Sequence, residues 1–288
     1  MHNILLEQYS VVKKELLRQS PFMCLHNRNI KKNPHQIDAF LKGISSINTG
    51  GMIFADEVGL GKTIEAGLVL KYLLKSKKNN ILISTPASLR VQWQEELSDK
   101  FNIISEVFDN SDMRDRDRKS FINRWIHDKS KAHVVILSYR FASTFINDKS
   151  FCDIKWDIVV IDEAHNMRNV FKGTKSAKRL YDSTLRVPKL LLTATPLQNS
   201  LDDLFGLVSY IDPRIFENEK VFNKKYVEEK RYDELKLELA PVLTRTLRRE
   251  VAENMKYAAR KCRRFDFKLS QNEKILYTLV DRYVGSLN

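Results

Sequence analysis

The chain has 288 residues, 43% hydrophobic and 30% charged, which is a globular composition with enough apolar mass for one large domain or two small ones. Its 49 Lys and Arg against 36 Asp and Glu leave a net charge of +13, which fits either a polyanionic partner or a basic, well-solvated surface. No apolar run nears the ~18 residues of a membrane span, and the first residues lack the basic-then-apolar order of a secretory leader. Cys24, Cys152 and Cys262 lie too far apart for a disulfide framework or a zinc knuckle, so a reduced, cytoplasmic setting away from membranes is the expectation.

In chain order, Asn33-Pro34 predicts a capped helix start, with Ile37, Phe40, Leu41 and Ile44 along one face. Short apolar runs then predict strands at 51–54, 80–85, 102–108, 133–138, 156–162 and 188–194. Most do not alternate, as expected for strands buried on both faces. Thr85-Pro86 repeats the helix-start signal, and Leu89, Trp93 and Leu97 form the following stripe. Strands alternating with helices predict an α/β fold, a parallel sheet with helices on both faces. The strands stop near residue 200. Ser200 and Asp203 predict a capping box, residues 213–255 read as charged helix, and "CRRFDFKLS" offers one more strand. Ser270 and Glu273 predict the cap of a last helix carrying Leu276, Leu279, Val280 and Tyr283.

Two stretches carry chemistry. In "IFADEVGLGKTIEAG" a strand, a glycine loop and a helix follow one another, the context of a phosphate-binding loop. Gly61, Lys62 and Thr63 complete the usual pattern, but Asp56 occupies the place of its first glycine. Gly59 and Gly61 let the backbone bend so that N–H groups converge on phosphates at the helix N-terminus. Lys62 is then the counter-charge for β/γ-phosphates, and the Thr63 hydroxyl a ligand of Mg²⁺. In "WDIVVIDEAHNMRN" a strand ends in Asp162-Glu163, two carboxylates at the sheet edge where open α/β folds bind ligands. Asp162 would hold Mg²⁺ through water and Glu163 would activate the attacking water.

These segments, together with "LTATPLQNS", "STPASLRVQWQEEL" and "LDDLFGLVSYIDPRIF", resemble in order the first RecA-like lobe of the superfamily-two helicases, and more narrowly the Swi/Snf-type translocases. The form "ADEVGLGKTIEAGL" is most similar to the bacterial RapA/HepA-like branch. The resemblance implies an ATP·Mg²⁺ site formed by Asp56, Glu57, Val58, Gly59, Leu60, Gly61, Lys62 and Thr63, with Gln36 reading adenine. It implies nucleic-acid backbone contacts at Thr85, Pro86, Ser138 and Tyr139. It also implies coupling of nucleotide state to DNA by His165, Thr193 and Thr195. Thr85 reads equally well as a simple helix cap. The basic stretch 168–179 is either a DNA-tracking loop or a solvated one, and the arginines of 245–251 read as structural or linker contacts.

The family pairs two RecA-like lobes, and no motif of the second follows in these 288 residues. The expected division is an N-terminal extension (1–30), the ATP-binding lobe (31–200), a helical extension (201–260) and a connector toward an absent second lobe (261–288). The implied function is DNA-dependent ATP hydrolysis driving translocation on duplex DNA, poor in this chain by itself. The competing reading is a nucleotide-dependent protein-binding module without useful turnover. RapA-like relatives suggest RNA polymerase or another protein as a partner.

Overall fold

The computed structural model describes residues 21, 24, 30, 33–108, 133–145, 154–167, 175–197, 200–251 and 265–285. Most of these belong to one compact unit spanning residues 1–254. Its centre is a seven-stranded sheet in the order β3-β4-β2-β5-β6-β1-β7, and every pairing is parallel. The strands are β1 (Gly51–Phe54), β2 (Asn80–Thr85), β3 (Glu106–Val107), β4 (His133–Ser138), β5 (Ile158–Ile161), β6 (Lys189–Leu192) and β7 (Leu243–Thr244).

Both faces of the sheet are covered, which is why the strands read as continuous apolar runs. Along each strand, successive side chains turn to opposite faces. Ile53, Leu82, Val135, Leu137, Val159, Ile161 and Leu191 enter one core. That core is closed by helices α4 (Tyr139–Phe145), α5 (Lys175–Thr184) and α6 (Leu201–Ile211). Met52, Phe54, Ile81, Ile83, Val134, Ile136, Val160, Leu190 and Leu192 enter the other. Helices α1 (Pro34–Ser46), α2 (Lys62–Lys75) and α3 (Arg90–Phe101) cover it. Each fully buried aliphatic side chain contributes roughly 1.5–3 kcal/mol, so these two layers dominate the unit's stability.

Helix α1 begins as its sequence predicts. Asn33 is the N-cap, Pro34 fills the first turn, and the Gln36 side chain accepts the Asn33 N–H at 3.1 Å. Helix α3 starts later than Thr85-Pro86 suggests. Pro86 is extended (φ −52, ψ 142), a short 3₁₀ turn follows at Ala87–Leu89, and the α-helix opens at Arg90. Trp93, Leu97 and Phe101 then form its buried stripe.

Three further expectations change. The strand expected over 102–108 shrinks to Glu106–Val107, because Asn102 at φ +54 ends α3 in a left-handed C-cap. The strands do not stop near 200, since β7 pairs with β1 through Ile53–Leu243 and Phe54–Thr244. No strand forms over residues 265–270. Helix α6 does begin after Ser200, but the Ser200 side chain makes no capping bond.

Beyond α6, the first unit is completed by α7 (Glu219–Phe222), a π-helical turn at Asn223–Glu228, α8 (Tyr232–Leu239) and α9 (Arg248–Val251). Phe205, Phe216, Phe222 and Tyr226 hold these pieces together in one aromatic cluster, with centroids 4.7–6.3 Å apart. The second unit, residues 255–288, contains helix α10 (Gln271–Gly285). Its predicted capping box is present, with the Glu273 carboxylate accepting both the N–H and the O–H of Ser270 at 2.8 Å. The N-terminal extension is largely outside the described residues, as is the basic stretch from 168 to 174. No helix among the described residues is long and apolar enough to cross a membrane.

Candidate nucleotide site

Every strand of a parallel sheet points its C-terminal end the same way, so loops far apart in sequence gather at one edge. Here the loop after β1 and the loop after β5 face each other across an open cleft of about 360 Å³. Val58, Gly59, Gly61, Lys62 and Thr63 form one wall. Asp162 and Glu163, directly after β5, with Trp93 and Gln92 from α3, form another.

The glycines are required where they stand. Gly59 and Gly61 have φ of +84 and +95, which side-chain-bearing residues rarely adopt. A Cβ on Gly61 would lie 2.4 Å from the Gln36 Nε2. Gly61 is the N-cap of the 14-residue α2; its carbonyl accepts the Ile64 and Glu65 N–H groups, and the Lys62 and Thr63 N–H groups before them have no helical acceptor. Lys62 folds over the loop, its Nζ donating to the Asp56 carbonyl at 2.8 Å. A tight glycine turn, a long helix N-terminus, an ammonium and a hydroxyl at Thr63 together suit a polyphosphate.

Asp56 explains its own presence at the odd position. Its side chain is buried and its Oδ1 accepts the Thr246 N–H at 2.8 Å. Glu57 accepts the Arg248 N–H at 2.9 Å, and the Arg248 Nε donates to the Val58 carbonyl at 2.9 Å. The loop's outer shoulder is therefore braced by residues 244–248. The sequence signalled those arginines as structural contacts, and Arg248 has that role.

Beneath the loop, His35, Asp56 and Glu65 each bring one nitrogen or carboxylate oxygen within 4.8 Å of the others, and the buried Asp56 Oδ2 and both Glu65 oxygens have no other hydrogen-bond partner among the described residues. The His35 Nε2 donates to the Leu60 carbonyl at 3.0 Å. Two carboxyl groups in one buried spot need a proton between them. Glu65 supplies it, since burial first and the neighbouring Asp56 second push its carboxyl well above the usual range. Glu65 passed unnoticed in the sequence. The signal was there, a lone acid ahead of the apolar run Ala66–Leu70 of the same helix.

Gln36 has two bonds within the protein. Besides accepting from Asn33, its Nε2 donates to the Leu60 carbonyl at 2.8 Å. It is buried and packs on Gly61, so it ties α1 to the phosphate loop. Leu60 is itself fully buried.

Across the cleft, Asp162 is held through its carboxylate and its backbone. Its Oδ1 accepts the Glu163 N–H (2.9 Å) and its own N–H donates to the Ser84 carbonyl (2.9 Å). Its Oδ2 accepts the Trp93 indole N–H (2.8 Å) and the Thr85 hydroxyl (3.3 Å). Glu163 sits at φ +46, a strained backbone for a non-glycine residue, with its carboxylate part-exposed. His165 Nδ1 lies 3.1 Å from the Glu163 Oε2, though without the alignment of a hydrogen bond. Thr193 is buried below the cleft, and its hydroxyl accepts the N–H of exposed Thr195 at 3.2 Å.

The residues expected to contact nucleic acid lie beside this wall. Thr85 is fully buried and its hydroxyl donates to the Asp162 carboxylate, which leaves the contact expected there to backbone N–H groups. The exposed part of that segment is the turn at Ala87 and Ser88, directly after Pro86. The Ser138 Oγ accepts the Phe141 N–H at 3.4 Å, and the Tyr139 hydroxyl donates to the carbonyl of Asp162. Tyr139 thus supports the acidic strand end, whereas the Ser138 hydroxyl serves the first turn of α4. Burial drives the Tyr139 hydroxyl pKa far up, so it stays a neutral donor.

An all-parallel sheet whose glycine loop and acidic strand end share one cleft defines a P-loop lobe of the RecA type. The chain belongs to the SNF2-related domain family, whose model matches residues 19–284. It is 33% identical over 263 residues to the "uncharacterized ATP-dependent helicase YqhH" of Bacillus subtilis (strain 168), across 88% of this chain and 43% of that protein. Its structure is similar to the Sulfolobus solfataricus SWI2/SNF2 ATPase core in complex with dsDNA (TM-score 0.59, 24% identity, 76% of this chain and 46% of that one). It is likewise similar to the structure of that ATPase core domain (TM-score 0.59, 25% identity, 78% and 45%). The chain thus spans less than half the length of each of these three.

Proposed function

We propose that this chain is the ATP-binding first lobe of a Swi/Snf-type ATPase that moves along double-stranded DNA, acting with a second RecA-like lobe. The observation that carries this reading is the shared cleft, in which Lys62 and Thr63 face Asp162 and Glu163. Gly59 to Thr63 would cradle the triphosphate, with Lys62 leaving the Asp56 carbonyl to neutralise the β/γ-phosphates. Thr63 and Asp162 have the hydroxyl and carboxylate oxygens that suit Mg²⁺, which when bound neutralises phosphate charge. Glu163 Oε would orient a water toward the γ-phosphorus and take its proton as the bond to the β-phosphate oxygen breaks. Gln36 would contact adenine from its place against the loop, and the turn at Ala87–Ser88 would meet the DNA backbone through N–H groups. Thr193, Thr195 and His165 stand between those two functions.

A protein-binding module without turnover would not need a carboxylate at a strained position beside the phosphate loop, so Glu163 favours the enzyme. The test is ATP hydrolysis with and without duplex DNA, using the chain joined to a second lobe. DNA-stimulated turnover that disappears in Glu163→Gln, with ATP binding retained, supports the reading. Equal turnover by Glu163→Gln removes Glu163 from the mechanism.

A further inference from the structure

We propose that Trp93 is a positioning residue for the metal-binding carboxylate, and that with Thr85 it ties that carboxylate to the exposed turn at Ala87–Ser88. The proposal rests on the ATP·Mg²⁺ reading of the cleft given above.

Trp93 looks at first like core, since it is 2% exposed and sits between Leu89 and Leu97 on the apolar face of α3. Its indole N–H is not spent on the core, however. It donates to the Asp162 Oδ2 at 2.8 Å, from a residue 69 positions away in sequence. A buried indole needs one acceptor, and a carboxylate gives it a charge-assisted bond. The Thr85 hydroxyl donates to the same oxygen at 3.3 Å. With Oδ1 engaged by the Glu163 N–H, the carboxylate plane has no freedom to rotate. Groups that hydrogen-bond a metal's carboxylate ligand set its direction and basicity, and their loss commonly weakens the metal about 10–100-fold.

The placement of the two donors adds a second consequence. Thr85 ends β2 and Trp93 lies in the first turn of α3, so they flank the segment Pro86–Leu89 on both sides. Ala87 and Ser88 at its tip are exposed. A displacement of this turn must move one donor or the other relative to Asp162. The sequence hid this link, because a Trp at stripe spacing reads as packing alone.

The experiment measures binding of a fluorescent ATP analogue to the 288-residue chain with Mg²⁺ and with EDTA, and takes the ratio of the two affinities. Trp93→Phe keeps the ring and removes the donor. The ratio should fall about tenfold in Trp93→Phe, with Mg²⁺ half-saturation rising by a similar factor. Thr85→Val, which keeps the shape and removes the weaker donor, should shift the ratio the same way by less. Asp162→Ala is the control for the site itself. If Asp162→Ala abolishes the Mg²⁺ effect and Trp93→Phe and Thr85→Val leave the ratio as in wild type, the positioning role is wrong. If Asp162→Ala leaves the ratio unchanged, the metal reading of the cleft fails first and takes this proposal with it. A Trp93→Phe chain that fails to fold hands the decision to Thr85→Val, whose unchanged ratio overturns the proposal equally.

Discussion

Truncating Gln36 to Ala should loosen the phosphate loop as well as weaken nucleotide binding. The side-chain amide accepts the Asn33 N–H at 3.1 Å and donates to the Leu60 carbonyl at 2.8 Å. After truncation Leu60 keeps the His35 Nε2 at 3.0 Å, so its carbonyl is not orphaned. The Asn33 N–H, in a residue only 8% exposed, does lose its acceptor. One lost bond at ~1 kcal/mol and one buried unsatisfied donor at ~1–3 kcal/mol give roughly 2–4 kcal/mol of destabilisation. In a unit of this size that lowers the melting temperature by roughly 5–15 °C. The amide also packs on Gly61, so the loop loses support where phosphates bind. Pyrophosphate affinity should therefore fall in Gln36→Ala, and ATP affinity should fall further because the base contact goes too. Thermal unfolding and competition binding measure both. A melting temperature and a pyrophosphate affinity equal to wild type would refute the bracing role, leaving Gln36 as a reader of the base alone.

Lys189→Met should stabilise the fold at neutral pH. Burial pushes the Lys189 ammonium down to about 8 from 10.5, so below pH 8 the fold bears the full cost of a buried charge, about 3 kcal/mol. Between 8 and 10.5 the unfolded chain holds more protons, so wild-type stability rises with pH and the variant's advantage fades; chemical unfolding at pH 7 and 10 reads this, and a variant less stable at both would contradict it. Glu65→Gln should fold and bind nucleotide nearly as well as wild type, because an amide can supply the hydrogen that the buried carboxyl shares with Asp56. Glu65→Ala should lose roughly 2 kcal/mol or more to the cavity and the unpaired acceptors, and equal losses in both variants would count against a proton held there. Gly61→Ala should cost at least an order of magnitude in nucleotide affinity, since a φ of +95 and a contact 2.4 Å from Gln36 force the loop to shift. Unchanged ATP binding by Gly61→Ala would show that this loop does not form the site.

The sheet's centre was legible because each strand there has its own local signal. The runs at 80–85 and 133–138 match β2 and β4 residue for residue, being apolar on both faces and bounded by polar residues. The edges were not, for the same reason. Two-residue strands such as Leu243–Thr244 exist only because a neighbour offers its open edge, and nothing local in "VLTRT" marks that. The cleft's two main walls could be read from the glycine loop and the acidic pair, whose chemistry needs those residue types in that order. What braces them could not. Trp93 to Asp162, Thr246 to Asp56 and Arg248 to Val58 are bonds across 69, 190 and 190 positions, and long-range polar contacts leave no periodicity behind. Thr85 and Tyr139 stood out in the sequence, but that their side chains point inward to the acidic strand end only the packing reveals.

The function of the cleft depends first on ATP binding by Lys62 and the loop around it. Equilibrium binding of ATP to the wild-type chain and to Lys62→Ala, at fixed Mg²⁺ and salt, tests it. A charged hydrogen-bond donor to phosphate is worth about 1.5–3 kcal/mol, so affinity should fall at least about tenfold in the variant. Equal ATP affinity for the two chains would contradict the site, and with it the function built on the cleft.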